Sequence, residues 1–204
     1  MNPREWLNQN SALTTVATVV LLICALGFAM CHLTKSSFSG TALSKSYYYD
    51  LVEGKVFGGP LLNVLPPIDG PNGPISDGDQ QKKAGLRAYI FDCGGCSTDF
   101  EGMTLQEVEA AGARIGYLEL FKQKALDAYS KFVASQNDEN PRYQDINQIW
   151  VVIEGGKRMA QVPSKPGTYP KLTKAGSAKG TGYKKAAIAL CPDGNLPQNC
   201  MPPQ

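Results

Sequence analysis

Histidine is almost absent. The chain carries one in 204 residues, His32, so no histidine-dependent nucleophile triad and no mixed Cys/His metal site can be assembled away from that segment. Two chemical signatures are missing as well: there is no Gly-x-x-x-x-Gly-Lys-Ser/Thr phosphate loop and no Gly-x-Ser-x-Gly elbow. Net charge is small. Twenty Lys and Arg against 18 Asp and Glu leave +2, which gives no whole-molecule field to steer the chain onto nucleic acid. Carboxylate pairs such as Asp77 with Asp79 and Glu107 with Glu109 fall in a loop and on a solvated helix face. Those are the usual places of solubilising charge, so no catalytic residue is assigned. No internal repeat is visible.

Charge is also missing locally. "SALTTVATVVLLICALGFAMCHL", Ser11 to Leu33, contains no Lys, Arg, Asp or Glu. As a helix at ~1.5 Å per residue it would reach ~34 Å, enough to cross a hydrocarbon core of ~30 Å. Its Thr and Ser hydroxyls can bond back to helix carbonyls, and Trp6 sits where an interfacial ring would rest. The expectation is an uncleaved transmembrane helix over 11–33 after a short tail, 1–10, with the lipid bilayer as its partner. Competing readings are a cleaved signal peptide, whose apolar part is usually ~7–15 residues, and a buried core helix. Cys24 and Cys31, seven apart, share one face and suggest a dimer contact through the span. Arg4 on one side and Lys35 and Lys45 on the other nearly balance, and the domain is placed on the extracytoplasmic side by default.

Glycine and proline, by contrast, are plentiful, at 21 and 14 residues, which points to a loop-rich domain. Residues 34–46 are small and polar and read as a linker. "YYYDLVEGKVFGG" reads as a hairpin bending at Glu53-Gly54, and 60–83, with five prolines, as an extended loop. "GLRAYIFDC" alternates as a strand, Thr104 and Glu107 have capping-box spacing ahead of a short helix ending near Gly112, and "RIGYLELF" reads as a strand. "KQKALDAYSKFVAS" carries an apolar helical face. "INQIWVVIEGGKRMAQVP" reads as a hairpin turning at Gly155-Gly156. From Lys157 to Lys185 stand eight basic residues and no acidic one. That stretch is a solvated loop by composition, or a site for anionic headgroups. The fold class expected is α+β: a transmembrane helix, then one small loop-rich soluble domain over 47–204 with a short antiparallel sheet and one or two helices.

Chemistry concentrates in Cys93, Cys96, Cys191 and Cys200. The first reading is a structural zinc site with all four as ligands, since two cysteines separated by two residues can put both sulfurs on one ion. Over about 15 residues the order aromatic, apolar, aromatic, Asp, Cys-Gly-Gly-Cys resembles the hairpin knuckle of zinc-ribbon modules. The second pair departs from that pattern, with eight residues between its cysteines. The second reading is disulfides, natural outside the cytosol. Four cysteines allow three pairings, among them a small Cys191–Cys200 loop worth roughly 2–3 kcal/mol. The third is a thioredoxin-like pair with Cys93 as nucleophile and Cys96 as resolving thiol. No helix begins directly after it, and Asp92 and Asp99 would raise the thiol pKa. The fourth is packed or free thiols.

The N-terminal span taken with "YYYDLVEGKVF", "RAYIFDCGGC" and "IGYLELF" resembles small single-pass membrane proteins of unknown function from planctomycete-type bacteria. That resemblance bears on residues 1–135 and implies an architecture without a mechanism. The functional expectation is a membrane-anchored, non-catalytic domain pinned by its cysteines, through zinc or disulfides, that presents a surface to a protein partner, with no nucleic acid involved. The alternatives are a tethered thiol–disulfide oxidoreductase and an accessory structural subunit of a membrane complex.

Overall fold

The fold is taken from a computed structural model, which describes residues 45–135 and 143–203. They belong to the compact unit Leu43–Gln204. Strands β1 (Lys45–Asp50) and β2 (Lys55–Pro60) form the expected hairpin, with Tyr48 opposite Phe57. A minor hairpin, β3 (Ile75–Asp77) with β4 (Gln80–Lys82), interrupts the proline-rich segment. Strand β5 (Gly85–Asp92) is followed by helix α1 (Leu105–Ala110), whose N-terminus carries the full reciprocal capping box between Thr104 and Glu107. Then come β6 (Ala113–Phe121), α2 (Gln123–Ser135), α3 (Tyr143–Gly156), β7 (Lys157–Ala160), β8 (Thr173–Lys174), α4 (Ala178–Ala187) and β9 (Gln198–Cys200).

Seven of these strands make one antiparallel sheet in the order β2-β1-β5-β6-β7-β8, with β9 also on β5. Strand β5 is the axis. Its Gly85–Arg87 half pairs with β1 and its Ile90–Asp92 half with β9, while β6 runs along its other side. Alternation sorts the side chains. Leu86, Ala88 and Ile90 point with Leu118 and Leu120 into the main core, where Phe100 and Val108 close the layer. Arg87, Tyr89 and Phe91 point the other way. There Phe91 and Tyr117 pack against Met159 and Ala187, the last residue of α4. Between Tyr89 and Ile90 the ladder with β6 slips by one residue. The extra residue is Gly116. A Cβ there would lie 2.4 Å from that of Ala187 and 2.9 Å from the Phe91 ring, so only glycine admits the end of α4 to the sheet.

Four expectations are corrected. The fold class keeps its α+β character, but the sheet has seven strands rather than a short set, and four helices are described rather than one or two. Among the described residues no helix is long and apolar enough to cross a membrane; the longest, α3, has 14 residues against the ~20 that a span requires. That overturns the transmembrane helix as an element of this fold. Its assigned range, Ser11–Leu33, and with it the bilayer contact and the dimer contact at Cys24 and Cys31, lies outside the described residues. The hairpin at Gly155-Gly156 does not form either, because Tyr143–Gly156 is helical. Its β-branched run misled: Ile149 and Ile153 are one helical turn apart and pack with Phe121 and Ala125, and that burial overrides strand propensity. Finally, the basic stretch is a loop only in part: 161–172 has no helix or strand, while β7, β8 and α4 take up most of the rest.

Candidate functional site

The four cysteines meet at the C-terminal end of β5. Asp92, the last residue of the strand, is buried. It turns the chain: Oδ1 accepts the Gly94 N–H at 2.8 Å and Oδ2 accepts the Cys96 N–H at 3.0 Å. The turn drives Gly95 to φ 92° and Cys96 to φ 60°, a left-handed conformation that glycine tolerates and other residues resist. Cys-Gly-Gly-Cys is therefore a tight carboxylate-organised loop that swings Cys96 back over the sheet.

The tail rises to meet it. Helix α4 ends at Ala187, and Arg114 holds the exit by donating to the Ala187 and Ala189 carbonyls at 3.3 and 2.6 Å. A compact turn comes next, in which the Cys191 N–H bonds the Asn195 carbonyl at 2.8 Å and Asp193 accepts from the Asn195 backbone at 3.0 Å. Strand β9 then aligns Cys200 opposite Ile90 and Gln198 opposite Asp92. In this register Cys93 bonds Cys191 and Cys96 bonds Cys200, with Cα separations of 5.8 and 5.3 Å. The small Cys191–Cys200 loop is not the pairing adopted. Cys191 and Cys200 are buried, while Cys93 is exposed.

All four residues expected as zinc ligands are thus brought together, but two by two. A sulfur in a disulfide is no thiolate, and metal binding needs the thiolate. Among the described residues no group of three or more His, Cys, Asp and Glu side chains could hold a metal ion. Nor are Cys93 and Cys96 bonded to each other, as a resting oxidoreductase pair would be.

A second polar arrangement crosses the sheet on its other face. Phe57, Tyr48, Arg87, Glu119, Met159 and Thr173 are consecutive cross-strand partners. Glu119 is almost fully buried between two cations: Arg87 Nη1 lies 3.5 Å from Oε1 and Lys157 Nζ 2.5 Å from Oε2. Tyr89 donates to the same carboxylate, 3.3 Å from each oxygen. Arg87 also donates to the Val64 carbonyl at 3.2 Å, which ties the proline-rich segment to the sheet. Its Nε has no partner among the described residues. Burial, reinforced by the Glu119 charge, pushes the Tyr89 phenol up to about 12, and burial likewise raises Tyr117, stacked on it at 4.4 Å. Sequence reasoning missed this group. The signal for it was one charge of each sign inside two apolar strands, "GLRAYIFD" and "ARIGYLELF".

No family model, no curated protein and no solved structure matches this chain.

Proposed function

We propose that this chain is a non-catalytic module of an oxidising compartment, held rigid by its two disulfides so that it presents a fixed surface to a partner. The observation that carries the reading is the pairing itself. Each cysteine of the Cys-Gly-Gly-Cys loop is bonded to the tail, across 98 and 104 residues, so the thiols of a redox pair or a zinc knuckle are absent and the chain's end is fastened to its central strand. Disulfides of this kind persist outside the cytosol. Long-range closure is also where a cross-link stabilises most, about 4.7 kcal/mol for a loop near 100 residues. Rigidity of this degree suits recognition, because little ordering cost is left to be met on binding.

Peptide mapping of the natively purified chain after alkylation tests it, alongside metal analysis. The expected result is two linked peptide pairs, Cys93 with Cys191 and Cys96 with Cys200, and no zinc. Four alkylated thiols with one equivalent of zinc, or a Cys93–Cys96 bond that cycles with a dithiol reductant, would overturn it.

A further inference from the structure

The basic stretch gains a specific geometry from the fold. Lys157 is spent on Glu119 and Arg158 on the backbone carbonyls of Gly155 and Lys157. Lys165, Lys171, Lys174, Lys179, Lys184 and Lys185 are all exposed and, among the described residues, form no ion pair. Because 157–185 holds eight basic residues and no acid in a chain of net charge +2, the remainder is acidic. The molecule therefore separates its charges.

Two hollows share Tyr169 in their linings. The larger, of ≈ 800 Å³, runs between the proline-rich segment and α2, with Lys82, Lys83 and Lys122 along it. The smaller, of ≈ 260 Å³, carries Lys171 and Lys179. Among the described residues no Asp or Glu lines either one. The contrast with a third hollow is sharp: that one, also ≈ 260 Å³, is lined by Asp50, Glu53 and Glu101 with a single lysine. Two of the five lysines meet carboxylates from outside the lining, Lys82 with Asp77 and Lys83 with Asp69. Among the described residues Lys122, Lys171 and Lys179 do not. About half of the remaining lining is apolar, with Val64, Leu65, Ile68, Leu120 and Phe121 in the larger hollow and Val162 in the smaller. The rest is amides and hydroxyls, among them Gln80, Gln123, Gln161, Ser164 and Thr168, and three tyrosines, Tyr129, Tyr169 and Tyr183. Lys82 Nζ stands over one face of Tyr169 at 4.5 Å from its centroid and Lys179 Nζ over one face of Tyr183 at 5.8 Å, which leaves the opposite faces for a ligand.

We infer that this Tyr169-centred pair of hollows binds an extended anionic polysaccharide of the uronic-acid type. This rests on the reading of the chain as a rigid binding module and names its partner's chemistry. Spaced lysines answer carboxylates repeated along a polymer. Amide and hydroxyl side chains answer ring hydroxyls, and tyrosine faces pack on the apolar faces of sugar rings. Concavity favours a chain laid into the surface over a flat lipid headgroup layer. A binding site that combines apolar faces with a few placed polar groups is the usual form for such ligands, and the field of unpaired lysines raises the rate of encounter with a polyanion.

The test uses the full chain with its disulfides mapped intact, titrated with polygalacturonate. Binding should weaken at least tenfold between about 50 and 500 mM salt and should vanish with the fully methyl-esterified polymer. Lys171→Gln with Lys179→Gln should weaken it about tenfold at an unchanged melting temperature. Lys184→Gln with Lys185→Gln, the same charge change outside both hollows, should alter it less than twofold. The inference is overturned if polygalacturonate does not bind, if poly-glutamate of equal charge and length or phosphatidylglycerol vesicles bind as well, or if the two double variants weaken binding equally. Each of those outcomes leaves the disulfide-pinned reading standing, since that one fails by peptide mapping instead.

Discussion

Strand β5 meets two buried polar arrangements a few residues apart. At Arg87 and Tyr89 it contributes to a carboxylate held between cations; at Asp92 it turns into a loop fastened by two disulfides. The first acts in the folded state. Burying Glu119, Arg87 and part of Lys157 costs desolvation that their attraction and hydrogen bonds must recover, so the group fixes strand register more than it adds net stability. The second acts mainly through the unfolded state, by removing conformations from it. The difference teaches that the middle and the end of one strand answer to different variables. Charge removal and pH reach the middle, and reductant reaches the end.

The largest expected effect breaks the covalent end. With either disulfide in place, the other closes only a ring of residues 93–96 and 191–200. Removing one pair, Cys93→Ala with Cys191→Ala or Cys96→Ala with Cys200→Ala, should therefore cost about 3 kcal/mol, the value for a loop near 15 residues. Removing all four cysteines also opens a loop of about 100 residues and should cost about 8 kcal/mol, which exceeds the sum of the two pairs by about 2 kcal/mol. Denaturant unfolding of the three variants measures this. Strict additivity would mean that strain or residual structure, rather than nested loop closure, sets the values.

Next in size is the ionic centre. Glu119→Gln removes the charge and leaves Arg87 and Lys157 facing each other in a buried site, which should cost about 3–5 kcal/mol. Adding Lys157→Gln should cost less than the sum of the two single changes, because the second substitution relieves the repulsion left by the first. If Glu119→Gln costs less than about 1 kcal/mol, Glu119 behaves as a surface-like pair and the contrast between the middle and the end of β5 dissolves.

Local signals in the sequence carried most of the sheet. Alternation in 85–92 and 113–121, the Glu53-Gly54 turn and the Thr104–Glu107 box are short-range features whose physics is complete within a few residues. The misreadings were long-range. Val151, Val152 and Ile153 favour a strand until Phe121 and Ala125 are present to receive a helical face. The cysteine cluster was legible as a set, because Cys93, Cys96, Cys191 and Cys200 had no other role in view. Its pairing was not, since β9 must first register on β5 before any sulfur has a partner. The buried charges were hidden for the same reason: Arg87 and Glu119 are 32 positions apart in sequence and become neighbours only through the β5–β6 ladder.

The smallest expected effect sharpens the ionic half of the comparison through alkaline pH. Tyr89 has its phenol raised from the ordinary 10.0 to about 12, by burial first and by the Glu119 charge second. The folded state thus keeps a proton that the unfolded state releases. Between pH 10 and 12 the unfolded chain binds fewer protons, so stability is full below about pH 10 and declines as pH rises through the folded value. Tyr89→Phe removes this titration, together with the hydrogen bond its one hydroxyl proton shares between the two Glu119 oxygens. The variant should be less stable at neutral pH by about 1 kcal/mol, yet lose less stability than the parent from pH 10 to 12. Reductant should leave that difference in slope unchanged in any variant that stays folded, because the disulfides do not titrate. Parallel pH profiles for Tyr89→Phe and the parent would remove Tyr89 from the charged centre and leave Glu119 to the two cations alone.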